Sequence, residues 1–120
     1  MPRKATPKSK RTQQIAKLND QMRKNPHAYG QALISAGITV RGQVVVQEAL
    51  AKIAAMKPSE FKKGNDPYGE RDFHTFSLDD ELAYFKIDYY AKGDLRAPSE
   101  DPSDPAKTTR IMTVAFMDEY

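Results

Sequence analysis

A chain of 120 residues with 39% hydrophobic and 29% charged side chains is long enough for one domain with a small core. No apolar run approaches the roughly 18 residues of a membrane span. The basic opening MPRKATPKSKR leads into no apolar stretch of the kind a secretory signal carries. The absence of cysteine excludes disulfides and thiolate zinc sites, so a cytoplasmic protein is expected.

The net charge of +3 conceals a strong asymmetry: residues 1–63 hold 13 Lys and Arg against 3 Asp and Glu, and residues 64–120 hold 6 against 13. Residues 1–11 read as a disordered basic tail, because Pro2 and Pro7 lie among Lys, Ser and Thr and no acid precedes Asp20. Its cations, Arg3, Lys4, Lys8, Lys10 and Arg11, suit weak, salt-sensitive contact with nucleic-acid phosphate. The tail has no aromatic side chain to stack on bases, so that contact is expected to be non-specific.

Residues 12–120 are expected to form a single α+β domain. A helix is predicted over 12–24, with Ile15, Leu18 and Met22 on one stripe, Thr12 as its N-cap and Asn25-Pro26 as its stop. A short strand is predicted over 31–35, resuming at 38–40 after a turn at Ala36-Gly37. A second helix is predicted within 43–57, where Val46, Ala49, Leu50 and Ile53 recur at helical spacing and Pro58 follows. Three strands follow, over 71–78, 82–91 and 108–117. Asp79-Asp80 makes a tight hairpin between the first two, and a loop over 92–107 with three prolines separates the last two. The order α-β-α-β-β-β implies an antiparallel sheet with two helices on one face.

Alternation along 82–90 puts Ala83, Phe85, Ile87 and Tyr89 on the inner face and Tyr84, Lys86, Asp88 and Tyr90 on the outer one. A two-residue turn at Asp79-Asp80 then sets Arg71 opposite Asp88, Phe73 opposite Lys86 and Thr75 opposite Tyr84. Arg71 and Asp88 would form an outer ion pair contributing about 0.2–1 kcal/mol. Asp72 would turn inward and need donors, either backbone N–H groups of the 64–70 turn or Arg110. His74 would lie beside Phe85. No HxH, HExxH, DxD, GxSxG or phosphate-loop pattern occurs, so neither catalytic residues nor a cofactor or metal is expected. In the 92–107 loop, Asp101 and Asp104 are placed to accept from backbone N–H groups two residues on, making a rigid acidic lip.

The segments NDPYGERDF, KIDYY, DPSDPAKTTR and the closing DEY resemble domain-of-unknown-function family 3768, over roughly residues 15–120. The resemblance implies a bacterial, cytoplasmic protein, often plasmid-borne, with no established activity. Asn65, Asp66, Tyr68, Glu70, Asp72, Lys86, Asp88, Tyr89, Tyr90, Asp104, Thr109 and Arg110 carry it. The family pattern has His at Arg71 and Gly at His74 and Asp80. A Gly at the last position fits the two-residue hairpin, and Arg71 joins the same polar hub.

The expected function is a non-catalytic interaction module that contacts a partner protein and, through its tail, nucleic acid, as a monomer or homodimer. The outer-face residues Tyr84 and Tyr90 are the surface a dimer would bury. One alternative is a carboxylate-cluster or metal-dependent hydrolase using Asp66, Glu70, Asp72 and Asp88. Another is an acidic DNA mimic built from the C-terminal half, against which the basic first half argues.

Overall fold

Ser9, not Thr12, opens the first helix: its Oγ accepts from the Thr12 backbone N–H at 3.0 Å, so the cap sits one turn earlier than the apolar stripe suggests. The structure, a computed structural model, describes residues 9–62, 64 and 66–120. Arg3, Lys4, Lys8 and Asn65 lie outside those residues, whereas Lys10 and Arg11, expected in the tail, already belong to helix α1, Lys10–Lys24. Asn25 ends α1, and Pro26 starts the short helix α2, Pro26–Tyr29, in the first-turn position where its missing N–H costs nothing.

Strand β1 covers Gly30–Ile34 and alternates as a half-buried strand does. The expected resumption at 38–40 does not occur. Ser35 instead caps a helical turn, α3 (Ala36–Thr39), by accepting from the Ile38 N–H at 3.3 Å, which satisfies that donor locally. Gly42, at φ 102°, then turns the chain into α4, Gln43–Ala55. Strands β2 (Phe73–Leu78), β3 (Glu81–Ala91) and β5 (Thr108–Phe116) match the expected three closely. A further strand, β4 (Asp94–Pro98), lies inside the stretch read as loop. It pairs Tyr90 with Pro98 and Ala91 with Asp94, taking the edge of β3 that β2 leaves open.

The sheet order is β1-β5-β3-β2, with β2 and β5 antiparallel to β3. It is mixed rather than antiparallel throughout, because β1 runs parallel to β5 from Gly30 beside Arg110 to Ile34 beside Val114. Alternation assigns faces but not direction. The chain between β1 and β5 passes through α3, α4, β2, β3 and β4, ample for a parallel return. The hairpin register is the expected one, with Phe73 opposite Lys86 and Thr75 opposite Tyr84. Asp79 and Asp80 both take positive φ, 50° and 64°, which a two-residue turn of this hand requires.

Met22 of α1, Ile38 of α3 and Ala49 and Ile53 of α4 pack onto the inner face of the sheet, against Phe85, Ile87, Met112 and Val114. Burying each such large side chain stabilises the fold by about 1.5–3 kcal/mol. On the other face Tyr84 is buried within the chain itself. Phe73 stacks on it at 5.9 Å and Tyr120 meets it edge-on at 5.2 Å, so it is not the free dimer surface expected. Glu119 pins the C-terminal end to α3, accepting from Ser35 Oγ and from the N–H groups of Gly37 and Phe116. Among the described residues, no helix is long and apolar enough to cross a membrane.

Candidate functional site

The buried stripe of α1 is not purely apolar. Between Ile15 and Met22 it carries Asn19, and one residue beyond Met22 it carries Arg23; both side chains are almost wholly buried. Polar groups in that position must find partners within the protein, and theirs come from the turn before β2, from β3 and from β5.

Asn19 donates from Nδ2 to the Tyr89 hydroxyl at 2.7 Å and to the Glu70 carbonyl at 3.0 Å. Tyr89 in turn donates to Glu70 Oε1 at 2.8 Å. The Oδ1 of Asn19 accepts from Arg110 Nε at 2.8 Å, and Arg110 Nη2 donates to the Pro102 carbonyl at 2.6 Å. The Arg110 guanidinium also lies over the Tyr89 ring, 5.0 Å from its centroid. Burial, with Asp72 and Glu70 nearby, pushes the Tyr89 hydroxyl well above its usual range. It therefore stays protonated and keeps donating.

One position along α1, Asp20 holds a second cluster. Arg71 grips both of its oxygens, from Nε at 2.8 Å and from Nη2 at 2.6 Å, while Arg23 Nη2 takes Oδ1 at 2.6 Å. Burial works to raise the Asp20 pKa, but the hydrogen bonds from Arg71 and Arg23 outweigh it and hold the carboxyl below its ordinary value. Arg23 also donates to the Arg71 carbonyl at 2.9 Å and lies over the Phe61 ring at 4.7 Å. Its Nε is buried without a hydrogen-bond partner.

Arg71 is thus not the outer partner of Asp88. The β2–β3 ladder ends where the Ile87 N–H donates to the Asp72 carbonyl at 2.8 Å. Arg71, at φ 53°, leaves the strand conformation and sends its side chain to α1. Asp88 pairs instead with Lys86 on its own strand, at 3.5 Å. Among the described residues, Asp72 likewise receives no hydrogen bond from the 64–70 turn or from Arg110. The turn satisfies Asp66, whose Oδ1 accepts from the Arg71 N–H at 3.0 Å, and Arg110 is engaged by Asn19 and Pro102. Burial raises the Asp72 pKa to about 6 against its own N–H, and Glu70, Asp66 and Asp88 add to the rise.

Of the expected site residues, the fold brings together Asp66, Glu70, Arg71, Asp72 and Arg110. Tyr68 stands apart at 82% exposure. Lys86, Asp88, Tyr90 and Thr109 sit on the outer face of the sheet, and Asp104 accepts from the Ala106 N–H in its own loop. Asp101 does the same for Ser103, as expected, and also meets Arg11 at 3.3 Å. His74 lies edge-on to Phe61 at 5.2 Å, with Nε2 3.2 Å from the Glu60 carbonyl. Among the described residues no group of three or more His, Asp and Glu is placed to hold a metal ion.

Sequence patterns alone do not single out Asn19, Asp20 and Arg23. The available signal is an Asn and an Arg four residues apart on a helix stripe that also holds Ile15 and Met22.

A family model described as Protein of unknown function (DUF3768) matches residues 11–119. No curated protein and no solved structure matches the chain.

Proposed function

We propose, for a chain that belongs to the family described as Protein of unknown function (DUF3768), a binding role rather than a catalytic one. It contacts a partner protein through the outer face of its sheet and nucleic-acid phosphate through the cations of residues 1–11. The observation that carries this reading is how the polar residues divide. Those of the junction are used on one another, with both Asp20 oxygens, both Asn19 groups and the Tyr89 hydroxyl all engaged. Lys86, Asp88, Tyr90 and Thr109 are instead half-exposed on a sheet face that α1 and α4 leave open. The same reading takes the protein as bacterial, plasmid-borne and cytoplasmic, acting as a monomer or homodimer; it rests on the family resemblance.

The test is DNA affinity of the full chain against salt. Replacing Arg3, Lys4 and Lys8 by Gln should flatten the slope of log K against log[salt] by about 2–3, from roughly 0.7–0.9 for each phosphate that the protein ceases to neutralise, and leave the melting temperature unchanged. No salt-dependent DNA affinity in the unaltered protein removes the nucleic-acid half. For the protein half, reversing Lys86 and Asp88 should abolish capture of the partner from the native host; capture that survives reversal removes that half.

A carboxylate-based hydrolase is the second reading, favoured by Asp72, whose pKa of about 6 suits a general acid or base beside Glu70 and Asp66. Its metal-dependent form fails if calorimetry detects no binding of magnesium, manganese or zinc.

A further inference from the structure

Arg110 poses an electrostatic problem that the polar junction does not solve. The residue is only 3% exposed, yet its two hydrogen bonds go to neutral acceptors, Asn19 Oδ1 and the Pro102 carbonyl, through Nε and Nη2. Every acid of the chain lies among the described residues, and none forms an ion pair with it. Burial lowers its pKa; Tyr89 and Glu70 oppose this, and the Glu70 carboxylate is taken by the Tyr89 hydroxyl. A buried cation with no ion-pair partner is costly, and an arriving anion would offset that cost.

Beside Arg110 there is room for one. A cleft of about 330 Å³ opens between α2 and the first residues of β5, at the lower end of the size range of small-ligand pockets. Its basic side chains are His27, Lys92 and Arg110, and no Asp or Glu lines it. This runs against the local composition, because Lys92 and Arg110 come from the acidic half of the chain. The Lys92 backbone is held by its N–H bond to the Lys107 carbonyl at 3.1 Å. Leu18 and Tyr29 supply an apolar wall. Gly30 allows the close approach that shapes the floor: a Cβ there would lie 2.2 Å from the Arg110 carbonyl oxygen.

We propose that this cleft binds a small ligand through a phosphate or carboxylate oxyanion seated against Arg110, with Lys92 and His27 at the rim. The planar guanidinium suits either oxyanion. The neutral remainder of the ligand lies along Leu18 and Tyr29. This site is independent of the outer sheet face and of the basic tail.

The test is an amide NMR titration of the full chain with inorganic phosphate and, separately, with acetate, ionic strength being held constant with sodium chloride. Saturable shifts at Gly30, Lys92, Thr109 and Arg110 with phosphate alone assign a phosphate ligand, and with acetate alone a carboxylate ligand. Lys92→Ala should weaken binding at least threefold, and Lys92→Ala with His27→Ala about tenfold. Both are surface changes that leave the fold intact, so the test does not depend on whether Arg110→Met folds. Where Arg110→Met does fold, binding should be lost. The proposal is overturned by the absence of saturable shifts with both anions, by shifts at the α1 N-terminus alone, or by affinity unchanged in the double variant.

Discussion

The carboxylate of Asp20 meets the guanidinium of Arg71 through two hydrogen bonds of 2.6 and 2.8 Å, tying α1 to the start of β2 across 51 positions of sequence. Arg23 takes the same carboxylate at 2.6 Å, so one acid compensates two arginines, and the second of them is only 2% exposed. Removing the acid therefore strands two cations as well as breaking a tie between elements.

Asp20→Ala should destabilise the protein by about 3–5 kcal/mol, the range for stripping the partner from a buried charge. Arg71→Ala should cost less, because Asp20 keeps Arg23. Urea denaturation of both variants measures the difference. A loss below about 1 kcal/mol for Asp20→Ala would show that the pair behaves as an ordinary surface bridge.

Asp72 has the opposite sign. Its folded pKa of about 6 exceeds the ordinary aspartate value of 3.8, so between these values the folded state holds more protons than the unfolded one. Stability should then fall as pH rises from about 4 through 6, and level off above that. Asp72→Asn should remove this slope and raise stability at pH 7, on the order of 1–2 kcal/mol after screening of a partly exposed group. Asp20, held below its ordinary value, works in the other direction, losing its contribution only as pH falls through its lowered pKa. Melting temperature against pH for wild type and Asp72→Asn separates the two, and an unchanged slope would remove the Asp72 assignment.

Asp80→Gly should stabilise the hairpin. Asp80 sits at φ 64°, where a side chain costs free energy that glycine avoids, and its backbone faces the turn rather than the core. A gain of about 0.5–1 kcal/mol is expected in equilibrium denaturation. Asp79→Gly should gain less or lose, because Asp79 also accepts from Arg41 at 3.0 Å.

Gly30→Ala tests close approach rather than backbone freedom, since Gly30 is extended at φ 167°. The added methyl would meet the Arg110 carbonyl at 2.2 Å and Met22 at 2.9 Å, so β1 must shift from β5. Overpacking of this kind costs about 1–3 kcal/mol. Thermal denaturation should show the loss, with chemical-shift changes centred on the β1–β5 pairing.

The hairpin is legible in the sequence because its determinants are local. Period-two alternation from Ala83 to Tyr89 sets the faces, and two acidic residues at the turn set the register, so Phe73 faces Lys86 as expected. The same local logic yields the presence of α4 and the Asx turns at Asp101 and Asp104. It reaches half of the polar junction, namely Asp66, Glu70, Arg71, Asp72 and Arg110, but misassigns their partners. Register alone pairs Arg71 with Asp88, whereas a single positive φ takes it off the strand to Asp20.

Composition, alternation and turn chemistry by themselves determined the α+β class, the order of the main elements and which side of each strand is apolar, since all of these depend on neighbours a few residues apart. Tertiary packing alone decided that β1 runs parallel to β5 and that Tyr84 is covered by Phe73 and Tyr120. It also decided that Arg110 lies buried beside a cleft with no acid to face. Strand direction is settled by residues about 80 positions apart, such as Gly30 and Arg110, and the Arg71–Asp20 ion pair by groups 51 apart, whose distances only the assembled layers define.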